Sequence, residues 1–437
     1  MRDILLLSIV LGLVPVVWLR PHAGMLAYAW FSLMNPHRLT FGFTYGQPFA
    51  QGFFALTLLS WLFAGGPKLP RMHLLLWLLL VFALWFSLTT LFAWAPEAAF
   101  TKWDRAIKTV VVMMVTAALV TDLARWRQLL LVVTLSIAFF GVKGGLWTLL
   151  TGGHYLVWGP PESWITDNNA IAVALVMVIP LLLYFAETAS RRLSRLAFLA
   201  AAGLTAVAVL GTHSRGGLLT LAVCGFLLWL RTDLRLLTGP SILACLGLAI
   251  AFMPEEWLAR METIGQYEQD ASANMRFAAW SWGLQVVAER PVLGGGFMVY
   301  TLNGIEHARG TLNYLNAHSI YFEVLAEHGW PGLALFLALL VGGILTARRI
   351  VRDSRGVPEL GWAERFGALV QVSFVAFATG GALLTLAFYD LFYYLVLLTA
   401  LARIEVREAL ARQRPALPDA TASRLLDLAA PARAERA

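Results

Sequence analysis

The side chains of this sequence best suited to chemistry are one histidine, His318 in LNAHSIYFEVLAEHGWPG, and two arginines, Arg215 in GTHSRGGLL and Arg276 in ANMRFAAW. Asn316 reads as a helix N-cap, which places His318 in the first turn, where the positive end of the helix dipole disfavours the imidazolium form. A neutral imidazole can take a proton, the task of a general base. His318, Tyr321, Phe322 and Leu325 share one helical face. Glu323 and Glu327, four residues apart and off that face, read as solvated or helix-stabilising. Guanidinium forks stay charged and bind phosphate oxygens in pairs, so Arg215 and Arg276 suit a phosphate or pyrophosphate. Lys143, in FFGVKGGLW, lies about two turns inside a predicted span end and either snorkels to the interface or adds a third cation. Arg38, Lys102, Arg105 and Lys108 are weaker candidates on the same side.

The elements that must position these groups are membrane helices. With 59% hydrophobic and 14% charged residues, the chain has more apolar surface than a soluble core can hide. Runs of about 20 apolar residues, the length that spans hydrocarbon, recur throughout. They lie at 48–64, 73–94, 105–121, 127–150, 168–187, 195–211, 216–230, 236–253, 330–347, 366–385 and 388–404. Residues 4–34 cross once or twice, giving about twelve spans or thirteen. Short loops rich in Lys and Arg mark the cytoplasmic face. Those at 65–72, 121–127, 187–195, 231–235 and 348–365, with the tail from Arg403, hold most of the 33 Lys and Arg, so the net charge of +7 reports topology and not nucleic-acid binding. By parity the loops near 35–47, 95–104, 151–167, 211–215 and 254–329 face outward.

Four regions follow: N-terminal transmembrane helices over 1–253, an outer helical loop over 254–329, C-terminal transmembrane helices over 330–404 and a cytoplasmic tail, partly helical or disordered, over 405–437. The outer loop is too long to be a linker. In it Trp257, Met261 and Ile264, then Met275, Ala279, Trp282 and Val286, recur at helical spacing, and glycines 294–296 after Pro291 break the helix. Glu268 and Asp270 are its close carboxylate pair, with Asp167 before Asn168 and Asn169 in another outer loop; the outward histidines lack ligand spacing. The expectation is no metal and no cofactor. No Walker or dinucleotide glycine pattern occurs, so a substrate must arrive already activated. Cys224 and Cys245 fall within spans and give no disulfide framework.

Two longer strings carry a resemblance. MRFAAWSWGLQVVAERPVLGGGF, followed by LNAHSIYFEVLAEHGWPGLALFLALL, resembles the core signature of the O-antigen ligase and polymerase superfamily: an arginine and tryptophan, a Pro- and Gly-rich turn, then a histidine-led helix ending in Glu and Gly. THSRGG resembles that family's other arginine motif. The resemblance covers roughly 165–400, and Ser319 departs from it where members commonly carry Asn. FSLMNPHRLTFGF, in the first 150 residues, resembles the exosortase-associated O-glycosylation ligases.

What the resemblance implies is an all-α polytopic integral membrane protein of GT-C-like architecture, in the bacterial inner membrane with its active site facing the periplasm. The reaction it implies is a metal-independent, inverting transfer of a glycan from undecaprenyl pyrophosphate to a sugar hydroxyl of lipid A-core. His318 would be the base, Arg215 and Arg276 would hold the pyrophosphate, and Tyr314, Tyr321 and Trp280 would be platforms for the donor's sugars. Its partners would be that lipid-linked donor, the lipid A-core acceptor and membrane lipids. An O-antigen polymerase and a protein O-oligosaccharyltransferase share the donor and differ only in acceptor. A transporter of the same lipid-linked sugar should instead show two related halves and central charges; no internal repeat and few central charges are evident in the sequence. A non-catalytic scaffold would leave the outward arginines without a purpose.

Overall fold

The computed structural model describes residues 1–231, 247, 253–255, 257, 271–301 and 316–413. Among them there is no strand, and the long elements are α-helices. In chain order they are α1 (Arg2–Leu19), α2 (Pro21–Met34), α3 (Phe49–Phe63), α4 (Leu74–Leu91), α5 (Pro96–Leu119), α6 (Leu123–Leu150), α7 (Asn168–Thr188), α8 (Arg192–Gly211) and α9 (Arg215–Trp229). After these come α10 (Ala271–Glu289), α11 (Ile320–Ser354), α12 (Gly361–Gly381) and α13 (Asp390–Gln413). Six of the described helices, α1, α4, α6, α7, α8 and α11, are long and apolar enough to cross a bilayer. The protein is a helical, polytopic membrane protein.

The expected apolar runs coincide with helices, and the expected span 236–253 lies almost wholly outside the described residues. Residues 4–34 resolve into two helices. Arg2 donates to the Leu39 carbonyl and Asp3 accepts from Thr44, which brings the start of α1 back to the loop that follows α2; the pair is antiparallel. α5 begins at Pro96, well before the expected 105, so its charged first half is helical too. α13 continues beyond 404 to Gln413, with Arg71 bonded to Glu405 at 2.7 Å and Glu408 at 3.0 Å.

α7 is the hub of the bundle. It is buried along most of its length and packs against α6, α8, α9 and α12. Its entry is fixed locally: Asp167 is the N-cap, and its Oδ1 accepts from the Asn169 and Ala170 amides. α9 starts the same way, with Ser214 Oγ accepting from the Gly217 amide.

The loops sort to two ends of the bundle. At one end Arg71 meets α13, Arg403 pairs with Asp353 at 2.6 Å and Arg365 donates to the Glu187 carbonyl. These are the loops that charge assigns to one face. The starts of α5, α7, α9 and α11 and the α12–α13 loop gather at the other, where the cavity described below opens.

α11 carries a break that matters for this gathering. At about 1.5 Å per residue a straight helix of its 35 residues would measure about 50 Å, well over a hydrocarbon core of about 30 Å. Gly329 interrupts it with φ 67° and ψ −172°, and Pro331 removes another backbone donor. The freed carbonyls find partners: Ala326 and Glu327 accept from the Gly295 and Gly296 amides, each at 2.9 Å, and His328 accepts from the Trp85 indole at 2.9 Å. Glycine is required on both sides of this contact. A Cβ on Gly294 would stand 2.6 Å from the Ala326 carbonyl oxygen, and one on Gly329 would stand 2.2 Å from that of Val292. The expected glycine turn is therefore a splint for the break, leaving residues 320–328 as a short arm.

Candidate active site

At the second end lies a cavity of about 630 Å³. α5 contributes Lys102 and Arg105, the entry to α7 contributes Trp164, Asp167 and Asn169, and α10 contributes Arg276. Thr101, Met298, Asn316, His318 and Thr385 also line the cavity.

His318 and Arg276, expected to act together, do line one cavity. The cap assignment differs. Asn316 is exposed and outside the helix; Ser319, extended at φ −165°, is the residue that precedes the first helical position, Ile320. His318 stands one residue earlier still, in the left-handed region at φ 46°. Tertiary bonds override local capping preference here. The His318 amide donates to Thr385 Oγ1 at 2.9 Å, and the Trp280 indole donates to the Ala317 carbonyl at 2.9 Å, so the chain is held before it can coil. The predicted consequence survives by another route. Burial, then the neighbouring Arg276 cation, push the His318 imidazole below its usual range, against a smaller opposing effect of Asp167. The lowering favours the neutral imidazole at the cavity wall.

Arg215 is the first residue of α9 and does not line the cavity. Its chain neighbours touch residues of the wall or beside it. Ser214 Oγ donates to Asn169 Oδ1 at 2.7 Å, and Gly216 lies against Leu383, next to the lining residues 384–386. Of its two glycines, Gly217 serves packing, since a Cβ there would meet Ala172 at 2.6 Å. His213 anchors the turn with Nε2 hydrogen-bonded to the Gly153 carbonyl at 2.8 Å.

Other expected site residues are placed elsewhere. Lys143 is exposed on α6 and is not among the lining residues. Trp280 stacks on Phe322 with centroids 5.0 Å apart, and Tyr321 donates to the Ala378 carbonyl at 2.9 Å; both hold structure. Tyr314, like Glu268 and Asp270, lies outside the described residues. Among the described residues no group of three metal-capable side chains occurs.

Glu323 and Glu327 correct the sequence reading most. They are not solvated: their side chains are 0% and 2% exposed, and both bind Lys102, itself 8% exposed. Lys102 Nζ stands 2.7 Å from Glu323 Oε1 and 2.8 Å from each oxygen of Glu327. Buried charge, thought scarce, is present. The sequence reading misses Trp164 and Thr385, underrates Lys102 and Arg105, and weighs Asp167 and Asn169 only as a thin metal candidate. The sequence held one usable signal: carboxylates at i and i+4 project from the same side of a helix and can grip one cation.

Comparison with known families divides the chain. Residues 200–337 match a family model described as O-antigen ligase, and residues 1–190 match a family of unknown function, DUF5935. No curated protein matches the chain. The first segment supplies Arg276 and His318, the second Lys102, Arg105, Trp164, Asp167 and Asn169, and Thr385 lies outside both.

Proposed function

We propose that this chain, whose residues 200–337 match the O-antigen ligase family model, is a membrane glycosyltransferase that moves a glycan en bloc from undecaprenyl pyrophosphate to a sugar hydroxyl of lipid A-core. The observation that carries this reading is the pairing of His318, its imidazole biased to the neutral form, with Arg105 and Arg276 in one cavity walled by both matched segments. His318 takes the proton of the acceptor hydroxyl as its oxygen attacks the anomeric carbon from the face opposite the leaving group, which inverts that centre. The bond from anomeric carbon to phosphate oxygen breaks, and the lipid pyrophosphate keeps the electron pair. Arg276 and Arg105 line the cavity where this negative charge collects. Lys143, exposed on α6, suits an interfacial anchor better than a donor contact.

The cavity opens at the end away from the basic loops, which supports a periplasmic site in the bacterial inner membrane. The antiparallel α1 and α2 favour the count of thirteen spans, in a GT-C-like arrangement with residues 254–329 as the outer cap and 414–437 in the cytoplasm.

A test supplies purified lipid-linked glycan with lipid A-core, with a second repeat unit, or with acceptor protein. Product on lipid A-core is expected. Product only on the repeat unit would make the enzyme a polymerase, and only on protein an oligosaccharyltransferase; no product with any of the three would end the reading.

Two further results are expected. Trp164 is the aromatic ring among the lining residues and the natural platform for a sugar of the donor, so Trp164→Ala should raise donor KM about five- to tenfold, the loss of roughly 1 kcal/mol of stacking. An unchanged KM would exclude that contact. The base must be neutral to act, and the His318 pKa is lowered from its ordinary value, so transfer should hold at neutral pH and above and fall as acid passes the lowered value. Arg276→Gln removes one cause of the lowering, so the acidic limb of the normalised pH–rate profile should move to higher pH.

A further inference from the structure

A lysine and two glutamates buried inside a membrane protein are costly, and each needs a partner or a task. The partners are complete. Beyond its bonds to Lys102, Glu323 accepts from the Ala387 amide through Oε2 at 3.0 Å, and Glu327 accepts from the Met298 amide through Oε1 at 2.9 Å. The residues adjoining those two amides, Phe388 and Phe297, place their rings 5.2 and 5.3 Å from the ammonium. One cation thus ties four pieces of chain together: α5, the arm of α11, the turn after the glycines, and the α12–α13 loop.

The task follows from where that last loop leads. Two residues before Ala387, Thr385 Oγ1 accepts the amide of His318. A left-handed backbone at a non-glycine residue is unfavourable and needs outside support. We propose that Lys102, Glu323 and Glu327 are positioning residues: they clamp the 385–387 segment to the arm of α11, and Thr385 on that segment fixes the backbone of His318 at the cavity. The inference rests on the reading of His318 as the base.

Glu323→Leu is the sharpest test, because it frees Ala387 yet leaves Lys102 and Glu327 as a balanced pair, so the fold should survive. With the full chain in lipid nanodiscs, it should lower kcat on the order of 100-fold, the usual cost of displacing a catalytic group by about 1 Å, with donor KM within about threefold of wild type. Glu323→Gln keeps an oxygen for the Ala387 amide and should recover most of kcat. Thr385→Val removes only the acceptor for His318 and should reproduce the Glu323→Leu defect. Carbethoxylation of His318 by diethyl pyrocarbonate, followed by peptide mass spectrometry across pH, reads its titration without any turnover; both damaging variants should shift it. A folded Glu323→Leu protein with wild-type kcat, or with reduced kcat and an unshifted His318 titration, would overturn the proposal. If the wild type transfers no glycan, the functional reading fails, and the His318 titration alone still decides the positioning role.

Discussion

Replacing His318 with alanine should reduce glycan transfer by about 10²–10⁴-fold, the range expected for loss of a positioned general base. Donor binding should persist, because Arg105, Arg276 and Trp164 remain in the cavity wall. The fold should persist too, since Thr385 bonds the amide of residue 318 and not its ring, and Trp280 holds the neighbouring Ala317 carbonyl. Quantifying product on lipid A-core beside the binding of the lipid-linked donor separates the two effects. Transfer within a few-fold of wild type would remove His318 from the reaction.

Lys102→Met should be the most damaging substitution for the fold. It leaves two carboxylates facing each other with no cation between them, and breaking a buried ion pair from one side costs about 3–5 kcal/mol. The melting temperature in detergent should fall sharply. Replacing all three residues, as Lys102→Met with Glu323→Gln and Glu327→Gln, removes the charge and keeps acceptors for the Met298 and Ala387 amides, so most of that loss should be recovered. Equal melting temperatures for the single and triple variants would mean that the lysine stabilises by shape alone.

Much of this architecture was legible in the sequence because a bilayer admits few solutions. Apolar runs of the right length had to become helices, and basic loops had to gather on one face. The break in α11 was readable as well: Gly329 and Pro331 cannot both sit in a continuous helix, and the glycines after Pro291 provide the backbone that satisfies the freed carbonyls. The start of the histidine arm was misplaced because capping preference is local, whereas Ala317 and His318 are held by Trp280 and Thr385, 37 and 67 residues away.

Lys102 illustrates a different limit. Its partners lie 221 and 225 residues further on, and nothing in a run of outward cations tells which one is drawn inside. The sugar platforms fared similarly: Trp280 and Tyr321 had suitable chemistry but their polar atoms were already committed to carbonyls, while Trp164 carried no local mark.

The cavity is walled jointly by the segment matched over 1–190 and the one matched over 200–337, and this has an evolutionary consequence. Neither half can be exchanged between relatives as a free module. A hybrid whose first half lacks a lysine at position 102 would inherit two stranded acids from its second half, and one whose second half lacks Glu323 and Glu327 would inherit a stranded ammonium. Descent should therefore have kept the two halves in step, and recombination between lineages should succeed only where both sides of this lock travel together.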